Sequence, residues 1–159
     1  MHVSRWIIEM PLPGSAAPGR LILNPDDSEV AGYRTYSIMP QFSAAHGGIH
    51  DALPGCLVRT DTKAKLCGPV LFDTGAPGLR ISLPDAGAMW PDGTPGVLAI
   101  GDGQSAIAFT VGRRDQASAM FIEHLGTNAA PHISAGLMPY FGWSVLYDAQ
   151  HGAIGLKPR

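Results

Sequence analysis

Glycine and proline punctuate this chain so densely that a helical bundle is ruled out as its architecture. Of 159 residues, 20 are glycine and 14 are proline, more than a fifth of the total. Glycine is costly inside a helix and proline breaks one. The chain therefore reads as short segments joined by turns, a mostly β fold. Hydrophobic residues make up 45%, too many for a disordered chain. A domain of this length buries roughly two-thirds of its unfolded surface, so a core needs neither metal nor disulfide.

The charge pattern narrows the partners. The net charge is −2, and Arg113-Arg114 is an isolated basic pair rather than part of a run. Phosphate-backbone binding needs a clustered basic face, so no nucleic-acid partner is expected. No apolar run approaches the ~20 residues of a membrane-spanning helix. The first nineteen residues hold one Arg and a short apolar run before Glu9, too little for the core of a signal peptide. The expectation is a cytoplasmic protein, or a mature or partial chain whose export signal is missing.

Strand signals dominate the rest. Leu21-Ile22-Leu23 ends in the turn Asn24-Pro25-Asp26-Asp27, and Tyr33 to Met39 is rich in strand formers. Gln41 to Gly55 reads as a polar loop. Cys56 to Cys67 reads as a hairpin with its loop at Thr60 to Lys63, placing Arg59 opposite Ala64 and Cys56 opposite Cys67. Directly opposed cysteines are close enough for a disulfide; two half-buried thiols are the other reading. A disulfide would argue for an exported protein, and a spacing of ten without a second pair argues against zinc. Pro69 to Phe72 is a short apolar run consistent with a buried strand. Leu79 to Leu83 alternates with period two. Val97–Ile100 and Ala106–Val111 flank the turn Gly101-Asp102-Gly103. Ala117 to His124 fits helix or strand. Pro139-Tyr140-Phe141 starts a helical turn, followed by strands at Trp143–Tyr147 and Ala153–Leu156. No internal repeat or linker divides the chain.

Chemistry concentrates at Asp73-Thr74-Gly75, where the apolar strand ends. A carboxylate at such a turn stands at the surface, and Gly75 lets main-chain amides approach it. Thr74 adds a hydroxyl that can bond across to a partner, and Asp73 can serve as general acid or base. The same tripeptide also makes ordinary surface turns. Val70 through Pro77, followed by Leu79 and Ile81 to Pro84, resembles the catalytic segment of aspartic peptidases. His132 to Asp148 followed by Gly152 to Leu156 resembles the end of a pepsin-type lobe. Gly19 to Leu23 with Asp26 and Gly32 is similar to the stretch joining pepsin lobes.

The resemblance implies a single pepsin/retropepsin-like lobe, a six-stranded-type β barrel or sandwich with one or two short helices. Residues 1–40 would be interlobe strands and 41–159 the lobe, in one domain overall. It implies Asp73 as catalytic carboxylate, Thr74, Gly75 and Ala76 as the active-site loop, Gly136 as structural support of that loop, and no metal or cofactor. Ala76 departs from the Thr or Ser usual in pepsin lobes, as do Ser134 and Leu137 from their counterparts. Such enzymes share a proton between two carboxylates, and Asp61-Thr62-Lys63 lacks the glycine. The second acid would come from an identical subunit or a missing lobe.

Two function classes follow: a peptidase acting on peptide or protein through water held between Asp73 and that second Asp, or an inactive peptide-binding or assembly module. Other sites are weaker. His46 and His50 have metal-like spacing, but Gly47-Gly48 disfavours the helix that would present them. Gly101 to Ala106 fits a loose dinucleotide pattern, but a strand follows where phosphate binding needs a helix. No Gly-x-Ser-x-Gly elbow occurs. Trp90, Trp143, Phe72 and Phe141 read as core aromatics.

Overall fold

A computed structural model describes residues 2–40, 51–82, 90–123 and 132–159. Its strands are β1 (Arg5–Glu9), β2 (Arg20–Leu23), β3 (Arg34–Ser37), β4 (Ala52–Arg59), β5 (Lys65–Leu71), β6 (Leu79–Ser82), β7 (Pro95–Ile100), β8 (Ser105–Thr110), β9 (Met120–Ile122), β10 (His132–Ser134), β11 (Trp143–Asp148) and β12 (Ala153–Pro158). Short helices α1 (Asp27–Val30) and α2 (Met138–Gly142) and a 3₁₀ turn at Arg114–Gln116 complete the described elements. The fold is mostly β. The chain divides into two compact units, Met1–Ile38 with Pro139–Arg159, and Met39–Met138.

The first unit holds a five-stranded antiparallel sheet ordered β2-β1-β11-β12-β3. Residues far apart in sequence are direct partners there: Ile7 faces both Ile22 on β2 and Leu146 on β11. Ile7 and Leu146 are buried. On the other face Trp6 stacks on its partner Tyr147, with ring centroids 5.4 Å apart, and Val145, Ile154 and Leu156 are buried. Between β2 and β3, the expected turn at Asn24–Asp27 also starts α1. Asp26 Oδ1 accepts from the amides of Ser28 (2.8 Å) and Glu29 (3.0 Å), and the Asp26 amide donates to Glu29 Oε2 (2.9 Å). This reciprocal cap lets a single turn of helix form at an exposed site.

The second unit holds a seven-stranded sheet ordered β8-β7-β4-β5-β10-β6-β9, antiparallel except where β10 joins β5 and β9 joins β6. Its core is the apolar alternation of the central strands. Leu57 of β4 lies between Leu66 and Leu98, and Leu53 faces Val70. Leu53, Leu57, Leu98 and Ile133 are fully buried, each contributing roughly 1.5–3 kcal/mol through apolar area removed from water. The Val97–Ile100 and Ala106–Val111 hairpin is present as β7 and β8.

Two expectations change and one open reading is settled. A closed barrel is not formed among the described residues, because β8 and β9 are end strands, each paired on one side only. The Gln41–Gly55 loop is cut short: β4 already begins at Ala52, where buried Ala52 and Leu53 pair with Leu71 and Val70. Pro54 and Pro69 face each other there, just beyond where β7 and β10 join the sheet, so neither proline removes a ladder bond on that side. In Ala117 to His124 a strand forms, β9, as Leu79, Arg80 and Ile81 offer it a parallel partner. His124, Leu83 and residues 41–50 lie outside the described residues.

The Cys56–Cys67 hairpin has the register expected of it. Cys56 and Cys67 are direct partners joined by a disulfide, and the Arg59 amide donates to Ala64 O at 2.9 Å. A cross-link closing so short a loop restricts the unfolded chain by about 2–3 kcal/mol. Replacing both cysteines by serine should lower the unfolding free energy by that amount in urea titrations, and reductant should then leave the variant's midpoint unchanged while shifting the parent's.

Candidate functional sites: the Asp73 turn and a polar row

Asp73 stands exposed after β5. Its Oδ1 accepts the Gly75 amide at 2.8 Å, and the Ala76 amide donates to Asp73 O at 3.3 Å. The aspartate therefore caps its own turn, the local chemistry for which Asx residues are selected in tight turns. Thr74 and Gly75 are exposed and Ala76 is buried. Gly136 sits against the loop: its carbonyl accepts the Asp73 amide at 3.3 Å, and the Leu137 amide donates to Ala76 O at 3.0 Å. Gly136 has φ +57°, and a Cβ there would lie 2.3 Å from Gly78 O and 2.6 Å from Ala76 O. Only glycine fits that approach.

No ion pair or second carboxylate partner engages Asp73 among the described residues. The other Asp-Thr pair is committed elsewhere. Arg59 binds Asp61 with two hydrogen bonds at the hairpin tip (3.0 and 2.6 Å) and holds its carboxyl down to about 2. Among the described residues no cluster of metal-ligating side chains occurs, and His46 and His50 fall outside them. Gly101 to Gly103 turn the β7–β8 hairpin, with the Gly103 amide donating to Ile100 O at 2.9 Å. Trp90 is buried and stacks on Phe109 at 6.1 Å, and Trp143 is buried. No described helix is long and apolar enough to cross a membrane.

The first unit carries a polar arrangement that the sequence did not reveal. Cross-strand register sets Arg20 opposite Glu9 and Lys157 opposite Ser144. The β1–β11 pairing of Ile8 with Val145 brings Glu9 beside Ser144. Arg20, Glu9, Ser144 and Lys157 thus form one row across β2, β1, β11 and β12, with Ile22, Ile7, Leu146 and Gly155 as the next row on the same face. Glu9 Oε2 accepts from Arg20 Nε (2.7 Å), and Glu9 Oε1 accepts from Ser144 Oγ (2.9 Å). Ser144 spends its hydrogen on Glu9, so the 2.5 Å contact with Tyr33 has the phenol as donor.

Gly155 makes this reach feasible. A Cβ there would lie 3.2 Å from both Leu146 Cβ and Tyr33 Cβ, so its absence lets Tyr33 lie down over the sheet. Lys157 Nζ lies 5.6 Å from the Tyr33 ring centroid, within cation–π range.

Electrostatics follow the geometry. Burial by itself would raise the Glu9 carboxyl, but hydrogen bonds from Arg20 and Ser144 and the charges of Arg20 and Arg159 outweigh it and hold the group below its ordinary value. Burial, reinforced by the charge of Glu9, pushes the Tyr33 phenol up. Above the row opens a cavity of about 550 Å³, lined within this unit by Ile7, Ile22, Leu12, Tyr33, Arg159 and the row itself. A glutamate ending an apolar run and a serine between Trp143 and Val145 were the only local signals. Their pairing is set by strands at opposite ends of the chain.

No protein-family model matches this chain, and no curated protein does. A solved structure that does match is Basic 7S globulin from soybean, with a TM-score of 0.57 and 10% identity over 96% of this chain and 50% of that one. At that identity the likeness concerns the fold alone, and this chain spans about half the length of that protein. The aspartic-peptidase resemblance is corrected by these findings: no family model or curated relative supports it, and the matched structure is a globulin. The physical reason is local. Asp-Thr-Gly is also the sequence of a self-capped turn, and Asp73 is used in that way here.

The Glu9 network has a pH signature. A carboxyl lowered on folding stabilises the protein above its unfolded value, here 4.5, and that contribution is lost as pH falls through the lower folded value. Unfolding free energy measured by denaturant titration should therefore drop less steeply below pH 4.5 in Glu9→Gln than in the parent. Parallel curves would mean that Glu9 contributes nothing through its charge.

Proposed function

We propose that this chain is a non-catalytic peptide-binding or assembly module whose ligand enters the cavity of the first unit. The cavity itself carries the reading. Its volume, about 550 Å³, lies within the range of ligand pockets, and its wall mixes apolar side chains with a few fixed polar groups. Tyr33, Ser144, Glu9 and Arg20 hold one another in place, so the wall is organised before any ligand arrives. A peptide suits the site because β2 is an end strand, paired among the described residues with β1 only. Such an edge offers main-chain donors and acceptors to an extended chain.

Hydrolysis has less support. One oxygen of the Asp73 carboxylate, Oδ1, caps its own turn, and two-acid chemistry needs a partner that does not engage it among the described residues. The hairpin disulfide supports an oxidising compartment as the place of action.

Asp73→Asn separates the two functions. Peptides captured by the parent from a random extended library, measured by fluorescence anisotropy, should bind this variant with unchanged affinity. Mass spectrometry should find them intact after long incubation with either protein at pH 3 to 7. Cleavage by the parent that disappears in Asp73→Asn would overturn the proposal.

A further inference from the structure

The end strand beside the cavity shows what kind of peptide it takes. β2 reads Arg-Leu-Ile-Leu, and its two leucines stand out from the protein, Leu21 63% exposed and Leu23 49%. They share the face turned away from the cavity, next to Ile8 and Trp6, their direct partners on β1. Trp6 stacks in turn on Tyr147 of β11, so apolar surface on that face runs out to β2 and is left open there. Free sheet edges are usually blunted by lysine, proline or a covering segment. After Arg20 the strand carries neither charge nor proline, and among the described residues it pairs with β1 only.

The cavity face of β2 presents Arg20 and Ile22. Arg20 gives Nε and Nη2 to Glu9 Oε2 at 2.7 and 2.6 Å. A guanidinium has five donors and this side chain is 64% exposed, so Nη1 keeps its hydrogens for a further acceptor.

We propose, resting on the binding-module reading, that the free edge of β2 takes an antiparallel extended segment with apolar residues opposite Leu23 and Leu21 and a carboxylate opposite Arg20. From its N-terminus the segment reads apolar, any residue, apolar, acid. Each of these contacts spans a single strand spacing, over which directly opposed side chains meet. The main chain of β2 supplies the ladder bonds. Charge favours such a segment over a second copy of this chain. β2 itself holds no carboxylate, so two copies joined edge to edge through this strand would leave both Arg20 side chains unmatched.

The test uses fluorescein-labelled peptides with the core Val-Thr-Val-Glu, read by anisotropy at low ionic strength, against the cores Thr-Thr-Thr-Glu and Val-Thr-Val-Gln. Valine and threonine are both β-branched strand formers, so their comparison reads apolar burial rather than strand formation. The Val-Thr-Val-Glu peptide should bind the parent roughly tenfold more tightly than its threonine counterpart. It should bind roughly threefold more tightly than the glutamine peptide, since an exposed ion pair is worth little, and salt should erase that smaller advantage. The double variant Leu21→Thr, Leu23→Thr should bring the valine and threonine cores to similar affinity. Phe121→Thr, at a side chain 50% exposed in the other unit, should change nothing.

Equal affinity of the parent for the valine and threonine cores, or for the glutamate and glutamine peptides, would overturn the proposal, and needs no variant to fold. So would an unchanged valine preference in the folded double variant. Sedimentation showing the parent as a dimer that the double variant dissolves would replace the peptide with a second copy. Binding that ignores the core sequence would remove this inference alone. Failure of every peptide to bind would remove the binding-module reading beneath it.

Discussion

The pairing of β1 with β11 is the constraint on which the first unit depends. Ile7 meets Leu146 and Ile8 meets Val145 across almost the whole chain. Contacts of such sequence separation cost loop-closure entropy before they return any stability. Burial on both faces offsets that cost: Ile7 and Leu146 on one side, the Trp6–Tyr147 stack and Val145 on the other. Once the pairing is made, register decides everything on that face. A slip of one residue would send Glu9 and Ser144 to the opposite side, and the row, its hydrogen bonds and the cavity wall would go with them.

That dependence explains what could be read from the sequence and what could not. Elements whose signals are local were legible. The Cys56–Cys67 hairpin, the turn at Gly101–Gly103 and the closing strands near Trp143 and Ala153 each announce themselves through turn residues and alternation within a few positions. The cap of α1 was legible in principle, since Asp26 and Glu29 have capping-box spacing. β1 was not read as a strand, because its apolar run is brief and its central partner, β11, lies at the other end of the chain. The polar row was beyond reach for the same reason: Tyr33 and Ser144 are 111 positions apart.

Asp73 shows the opposite failure, a local signal that carried too much weight. A strand, an Asp-Thr-Gly turn and a second strand make a recognisable string, yet each residue also has a purely conformational reason to be there. Oδ1 of Asp73 caps the Gly75 amide, and Gly136 admits the close approach of the 76–78 backbone. Turn formation accounts for the string without any chemistry at the carboxylate. The groups that do converge on a space large enough for a ligand, Glu9, Arg20, Tyr33, Ser144 and Lys157, form no string at all.

The division of the chain also imposes an order in time. Met39–Met138 is continuous, whereas the other unit is assembled from Met1–Ile38 and Pro139–Arg159. A ribosome delivers residues from the N-terminus at a few per second, and units generally fold as they become complete. The seven-stranded sheet therefore has all of its strands while β1, β2 and β3 still wait for β11 and β12. Until those last strands emerge, the nascent protein carries Glu9 without Ser144 and β1 without its central partner. The polar row and the cavity wall come into existence only after the seven-stranded sheet has all its strands, and premature termination within β11 would leave them unbuilt.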